Sequence, residues 1–284
     1  EMMPLALILL SNKIRPEAPQ TFAYFAQQGV RTKVISGDNP LTVSEVARRA
    51  GIPDAEKFVD ARTLKTDAEL AKAAEEMTVF GRVTPDQKKK LVAAMKWAGH
   101  TVAMTGDGVN DAASMKKASI GIGMGVTGTD VAKEVADIII TDDNFATIVV
   151  AVEEGRKVYK NIQKTVKFLF SANMGEILAL FFATLIFPQY TFLLPIQILF
   201  VNLITDSLPA IALGVEPAER DLMEERPREN GKGLFSDGNG WMTIVMGFVQ
   251  TALTISSFCI GLYIYGEASA MSMAFYTLNI VQFF

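Results

Sequence analysis

One cysteine and one histidine occur in 284 residues. The single Cys259 rules out an intrachain disulfide, and its place inside an apolar run makes packing its simplest role. His100 precedes an expected strand and reads as a surface or packing residue, so soft or imidazole-rich metal sites are not expected. The net charge is -4, and no basic cluster is interleaved with aromatics, which argues against a nucleic-acid partner. No signal peptide is read at the start of the chain.

Apolar residues are abundant instead. They make up 50% of the sequence and raise its mean hydropathy to +0.25, high for a purely soluble chain of two-domain length. They are unevenly spread. Charges recur every few residues up to Lys167, whereas 168–187, 192–215 and 241–265 are each long enough to cross a bilayer at about 20 residues per span. A fourth apolar run begins near residue 268 and continues to residue 284, so the sequence reads as a fragment of a longer one. We expect a soluble domain over 1–152 and a stalk helix with a transmembrane bundle over 153–284, with spans at about 166–187, 192–213, 241–265 and 268–284 (incomplete). The connections at 188–191 and 266–269 carry no Lys or Arg, while 216–236 carries Arg220, Arg226, Arg228 and Lys232. The positive-inside rule places that loop, and by parity residues 1–165, in the cytoplasm.

In the soluble part, short β-branched runs at 5–10, 31–35, 78–81, 101–104, 120–122 and 138–140 alternate with helical patterns. This predicts a doubly wound parallel α/β sheet, in which ligands bind beyond the carboxyl ends of the strands. One strand leads into Thr105-Gly-Asp-Gly-Val-Asn-Asp111, another into Ser36-Gly-Asp-Asn39, so a hydroxyl, a glycine and an acid arrive twice. Asp107 offers a hard oxygen ligand for magnesium, the glycines let backbone N–H groups approach phosphoryl oxygens, and Asn110 and Asp111 can orient the shell. Thr84-Pro-Asp-Gln-Lys88 opens a helix whose Lys88 can bring a cation to the same crevice. Taken singly, each of these motifs is also explained as a capped turn or a solvated helix face.

In the membrane part, Glu176 and Asp206 are ionisable residues within apolar spans, which makes them functional candidates. Measured from the turn at 188–191, Asn173, Glu176, Asn202, Thr205 and Asp206 all lie about 20 to 25 Å deep at about 1.5 Å per residue. Asn173 shares a helix face with Glu176, as Asn202 does with Thr205 and Asp206. Pro209 offers no N–H to the carbonyl of Thr205, and Gln282 can reach the same depth from the fourth run. Hard oxygen donors favour calcium, then manganese or monovalent cations, over copper or zinc. Interhelical hydrogen bonding that only holds the bundle together is the alternative.

In this order the soluble motifs resemble the haloacid-dehalogenase-type phosphotransferase core, with the wording of the P-type cation-transporting ATPases. The resemblance continues through Asp130-Val-Ala-Lys-Glu-Val-Ala-Asp137 and Asp142-Asp-Asn-Phe-Ala-Thr-Ile148. Ser171-Ala-Asn-Met-Gly-Glu176 and Val201-Asn-Leu-Ile-Thr-Asp-Ser-Leu-Pro209 are similar to the fifth and sixth membrane helices of the calcium-pump branch. The resemblance implies that Ser36 and Gly37 hold phosphoryl oxygens, that Lys88 neutralises them, that Asp107 binds magnesium and that Asn110 and Asp111 complete the shell. Asp38 and Arg82 join Ser36, Gly37 and Lys88 as candidates for holding the phosphate or nucleotide. Asn173, Glu176, Asn202, Thr205 and Asp206 match calcium ligands, with Gln282 as a further candidate.

The cofactors and partners implied are Mg2+, ATP, transported Ca2+, a lipid bilayer, and the actuator and nucleotide-binding domains, whose sequences are not in this chain. Neither the DKTGT sequence that carries the family's nucleophile nor the PEGLP helix is present either, so the chain by itself is expected not to turn over ATP. Three departures stand out: Asn12, Ala113 and Gln282 occupy places where the family has an acid, a proline and, in animal calcium pumps, an acid. The last predicts one calcium per cycle and a changed proton counter-flow. The expected function is calcium export across the plasma membrane, with a membrane-anchored magnesium-dependent phosphatase, or a cation channel or scaffold, as alternatives.

Overall fold

The computed structural model describes residues 13–225, 227, 233–236 and 238–282, so the expected strand at 5–10, Asn12, Arg226, Arg228 and Lys232 lie outside the described residues. Two compact units, Glu1–Val152 and Glu153–Phe284, divide the chain.

In the first unit, strands β1 (Val34–Ile35), β2 (Phe58–Asp60), β3 (Val79–Gly81), β4 (Ala103–Gly106), β5 (Ile120–Met124) and β6 (Ile138–Ile140) alternate with α1 (Ala18–Gln27), α2 (Pro40–Arg49), α3 (Asp67–Glu76), α4 (Pro85–Trp97), α5 (Val109–Lys117) and α6 (Asp130–Val135). All pairings are parallel, as expected, but the described strands form two three-stranded sheets, ordered β1-β3-β2 and β4-β5-β6. β2 was not anticipated. Its sequence is Phe58-Val-Asp60 with Phe58 exposed, so it lacks the β-branched run that marks the equally short β6. β4 begins two residues later than expected, at Ala103, where the Ile120 N–H to the Val102 carbonyl opens the parallel pairing with β5.

Local signals set the helix starts. Asn39 caps α2 by accepting from Leu41 N–H at 3.0 Å, and Thr66 with Glu69 and Thr84 with Gln87 form reciprocal capping boxes at α3 and α4. Between helices and sheet lies a core of Phe80, Leu91, Val92, Ala74 and Leu70. Ile35 of β1 and Met104 of β4 pack against this same core, so the two sheets share it. At one point backbone meets backbone: a Cβ on Gly81 would lie 2.4 Å from Cα of Pro40, which is why the end of β3 needs glycine. Beyond β6, Asp143 accepts from the N–H groups of Val126 at 2.9 Å and Thr127 at 2.7 Å, and these bonds hold its carboxyl down to about 2.

The second unit begins within α7 (Thr147–Ile186), one helix of 40 residues. It continues with α8 (Pro195–Phe200), a π-helical turn at Val201–Thr205, α9 (Ser207–Gly214), α10 (Asn239–Tyr265) and α11 (Glu267–Val281). Among the described residues, three helical segments, Thr147–Ile186, Pro195–Gly214 and Gly240–Tyr265, are long and apolar enough to cross a membrane. Small residues let them approach: Ala179, Ala183, Ala270 and Ala274 surround the buried Phe258, and a Cβ on Gly261 would come within 2.6 Å of Cα of Ala270. Phe181, Leu185, Ile204 and Ile211 point outward, as lipid-facing side chains do. The charged end of α7 holds the following loop. Arg156 donates to the carbonyls of Leu222 and Glu225, and Lys164 pairs with Glu216 and Glu219 at 2.9 and 2.8 Å.

Two outcomes check this packing. Gly81→Ala forces Pro40 to move and should destabilise the α/β unit by about 1 to 3 kcal/mol, measured by denaturant unfolding. Asp143→Ala should lower the thermal midpoint at pH 7. Because the folded carboxyl sits at about 2, below the usual value of about 3.9, its contribution is present above the latter. The gap from wild type should therefore narrow as pH falls through about 2.

Candidate functional site

The carboxyl ends of β1 and β4 carry the two acid-bearing turns, and a chain of contacts joins them. Ser36 N–H donates to the Phe80 carbonyl and its own carbonyl accepts from Val83 N–H, while the carbonyl of Asp38 accepts from Arg82 N–H at 2.8 Å. The Ser36 hydroxyl oxygen accepts from Asp38 N–H at 3.1 Å, which closes the turn. Arg82 holds a left-handed backbone at φ 53, which turns the chain from β3 into Thr84 and α4. From the second turn of α4, Lys88 Nζ reaches Asp111 Oδ1 at 2.7 Å, with both side chains largely buried. Asp111 in turn packs against Gly106, where a Cβ would come within 2.4 Å of Cβ of Asp111. The structure thus links Ser36, Lys88 and Asp111 through successive contacts.

Asp107, Asn110, Gly37 and Asp38 are exposed around this linkage, and the backbone carbonyl of Asp107 accepts from Thr129 N–H at 2.8 Å. Arg82 behaves differently from the rest of the set: its guanidinium pairs with Asp60 at 3.1 Å, alongside Arg62. A magnesium ion needs only one or two carboxylates and keeps several waters. The open Asp107 carboxylate, backed by a carboxylate already fixed by a lysine, fits that requirement.

In the second unit, α7 and the π turn face each other. Glu176 and Asp206 are 5% and 3% exposed, and Thr205 is 6% exposed. Asn202 Nδ2 donates to both oxygens of Glu176 at 3.2 and 3.1 Å. Asn173 spends its amide nitrogen on the Leu169 carbonyl at 2.7 Å, one turn before Glu176. Gln282 approaches the Asp206 carboxylate without reaching hydrogen-bond geometry: Asp206 Oδ1 and both polar side-chain atoms of Gln282 are buried and unpartnered among the described residues. The π turn shifts the ladder by one residue, so that Asp206 N–H bonds the Val201 carbonyl at 2.9 Å, a local unwinding frequent at functional sites.

Several contributors were not anticipated from sequence. Asn279 of α11 accepts from the Thr205 hydroxyl. On α10, the Thr251 hydroxyl shares its one proton between the carbonyls of Gly247 at 2.8 Å and Gly175 at 3.1 Å, and Gln250 fills the space that a side chain on Gly175 would need. These contacts fix the turn of α7 that carries Glu176. Gln250, Thr251 and Thr254 do recur at helical spacing along α10, and Asn279 lies three residues before Gln282, a polar stripe that could have pointed to them. Among the described residues, no group of three or more His, Cys, Asp or Glu side chains gathers to hold a metal. Any cation at this layer would therefore take amide, hydroxyl or carbonyl oxygens besides the acids.

Residues 3–119 match the family model for haloacid dehalogenase-like hydrolases, and residues 190–284 match the cation transporting ATPase C-terminus model. The chain is 43% identical over 273 residues to a calcium-transporting ATPase of Bacillus subtilis, covering 94% of this chain and 31% of that protein. It is 44% identical over 264 residues to calcium-transporting ATPase 1 of Bacillus cereus, covering 92% of this chain and 30% of that protein. To an endoplasmic reticulum calcium ATPase of Aspergillus fumigatus it is 41% identical over 249 residues, covering 85% and 25%. The chain thus spans about a third or less of the length of these relatives. A haloacid-dehalogenase-like unit joined to apolar helices, with both family models and these relatives agreeing, places the chain in the P-type cation-transporting ATPases, in a calcium-pump-like C-terminal portion.

Proposed function

We propose that the protein carrying this chain transports calcium across a membrane, driven by ATP through an aspartyl-phosphate intermediate. The observation that carries this reading is the pair of buried acids, Glu176 on α7 and Asp206 at the end of the π turn that faces it, with amide and hydroxyl groups beside them. A phosphatase that is merely anchored in a bilayer has no use for acids at that depth, and a channel or scaffold has none for the Asp107 turn.

In this reading Ser36, Gly37 and Asp38 hold oxygens of the phosphoryl group, and Lys88, oriented by Asp111, offsets its charge. Asp107, with Asn110 and Asp111 behind it, would hold magnesium, which supplies charge neutralisation on the phosphate. Arg82 serves the nucleotide side only if it leaves Asp60. The aspartate that accepts the phosphoryl group belongs to a DKTGT sequence outside these 284 residues. β1 and β4 each have a single hydrogen-bonded neighbour among the described strands, and a strand placed between them would bring its carboxyl end to Ser36 and Asp107 together. The actuator and nucleotide-binding domains complete the machine.

Glu176, Asp206, Asn202, Thr205 and Asn173 form the calcium shell, with Gln282 at its edge. Because Gln282 brings no charge, one calcium per cycle is expected. The lysines on α7 and Arg220 in the following loop assign that side to the cytoplasm. The direction is then export from the cytoplasm, across the plasma membrane. Relatives named for the endoplasmic reticulum make an internal membrane the competing location. One helix, α7, joins the α/β unit to the acids, and it is the proposed conveyor of motion.

ATP-dependent calcium uptake into vesicles containing the full-length protein tests this. Asp107→Asn should slow uptake by at least about 100-fold, and Glu176→Gln should abolish it. Uptake at wild-type rates in either variant would overturn the role assigned to that residue.

A further inference from the structure

Asn279 lies on α11, three residues before Gln282 and therefore on the same face, yet it was not among the ligand candidates. Its two side-chain bonds determine each other. Nδ2 lies 2.6 Å from the Phe275 carbonyl, and a carbonyl can only accept, so the amide nitrogen must be the group on that side. Oδ1 then faces Thr205 Oγ1. An amide oxygen can only accept as well, so the Thr205 hydroxyl has to donate its one proton to Asn279.

That assignment matters because of what a threonine in a helix usually does with this proton. It donates to a carbonyl three or four residues back. Here the carbonyl four residues back, that of Val201, accepts Asp206 N–H across the π turn at 2.9 Å, and the Thr205 hydroxyl bonds Asn279 Oδ1 rather than that carbonyl. With the proton drawn to Asn279 instead, both lone pairs of Thr205 Oγ1 are free, in a position 6% exposed and adjacent in sequence to the buried Asp206. A hydroxyl whose proton is fixed away from its lone pairs is a better oxygen ligand for a hard cation than one free to rotate.

We propose that Asn279 is a positioning residue for cation binding: it holds the Thr205 hydroxyl as a pure acceptor toward the ion and brings α11 into the coordination layer. This rests on the calcium reading above. It extends that reading to a residue that touches the ligand Thr205 rather than the ion.

Equilibrium binding of radioactive calcium to the purified full-length protein, without nucleotide, tests it. Wild type should bind one calcium per protein. Asn279→Leu should weaken affinity by about 5- to 10-fold while leaving the binding capacity unchanged. Thr205→Ala should weaken affinity comparably, and the double variant should bind within about twofold of Thr205→Ala, since the second change removes an interaction already lost. If Asn279→Leu fails to fold, Asn279→Ser, too short to reach Thr205, should give the same shift. Unchanged affinity in the Asn279 variants, with binding lost in Glu176→Gln, overturns the positioning role and leaves the calcium site standing. Fully additive losses overturn it likewise, and a lowered capacity at unchanged affinity shows a purely structural role. Wild-type binding by Glu176→Gln overturns the calcium reading itself.

Discussion

Two carboxylates held away from water within an apolar helix bundle set the terms for this half of the molecule. Removing an ionised carboxylate from water costs several kcal/mol unless a partner compensates. Glu176 has only an amide for company, and Asp206 has an oxygen with no partner among the described residues. No lysine or arginine is paired with either in the described structure; the cations of α7 are engaged lower down, by Glu154, Glu216, Glu219 and Glu225. Folding has therefore left a charge deficit that a proton or a bound cation can relieve. The rest of the bundle preserves that deficit: alanines and glycines bring helices close, Thr251 and Gln250 fix α7 beside Glu176, and the π turn aims Thr205 and Asp206 without a regular helical ladder.

The α/β unit faces the opposite problem in the proposed cycle, in which negative charge arrives from outside. Asp38 and Asp107 are turned outward at strand ends, and the one largely buried ion pair among the described residues, Lys88 with Asp111, is anchored on adjacent helix starts. Removing one partner of such a pair leaves an uncompensated charge, at a cost of about 3 to 5 kcal/mol. The pair thus holds the Lys88 ammonium in one place, and in the proposed cycle that place is beside the phosphoryl group. Capping boxes and the Gly81–Pro40 approach make the surrounding turns rigid.

Much of this was legible in the sequence for identifiable physical reasons. Acids inside apolar spans are rare enough to be noticed singly, and Glu176, Asn202, Thr205 and Asp206 are indeed brought to one layer by α7 and the segment after α8. The motifs at strand ends and helix starts pointed to one crevice for Ser36, Lys88 and the Asp107 turn, but not to the ion pair between Lys88 and Asp111. Legibility failed where the determining partner is distant or the pattern is missing. β2 lacks a β-branched run, and the separation into two sheets depends on long-range pairing. Asn279 is an amide in an apolar helix, and its meaning appears only when Thr205 is beside it. The π turn was half visible: Pro209 signals a carbonyl without its usual N–H, but not the one-residue shift that pairs Asp206 N–H with the Val201 carbonyl. Arg82 shows the limit of reading by resemblance, since its guanidinium lies on Asp60.

The central claim is that the phosphate crevice and the acid layer belong to one cycle. Covalent labelling of the full-length protein with the terminal phosphate of radioactive ATP, in the presence and absence of calcium, tests it most directly. The account predicts an acid-stable, hydroxylamine-sensitive phosphoprotein that forms on calcium addition and is lost, at the same calcium concentration, in Asp206→Asn. Labelling that proceeds equally without calcium, or is unaffected by the loss of that carboxylate, would contradict it.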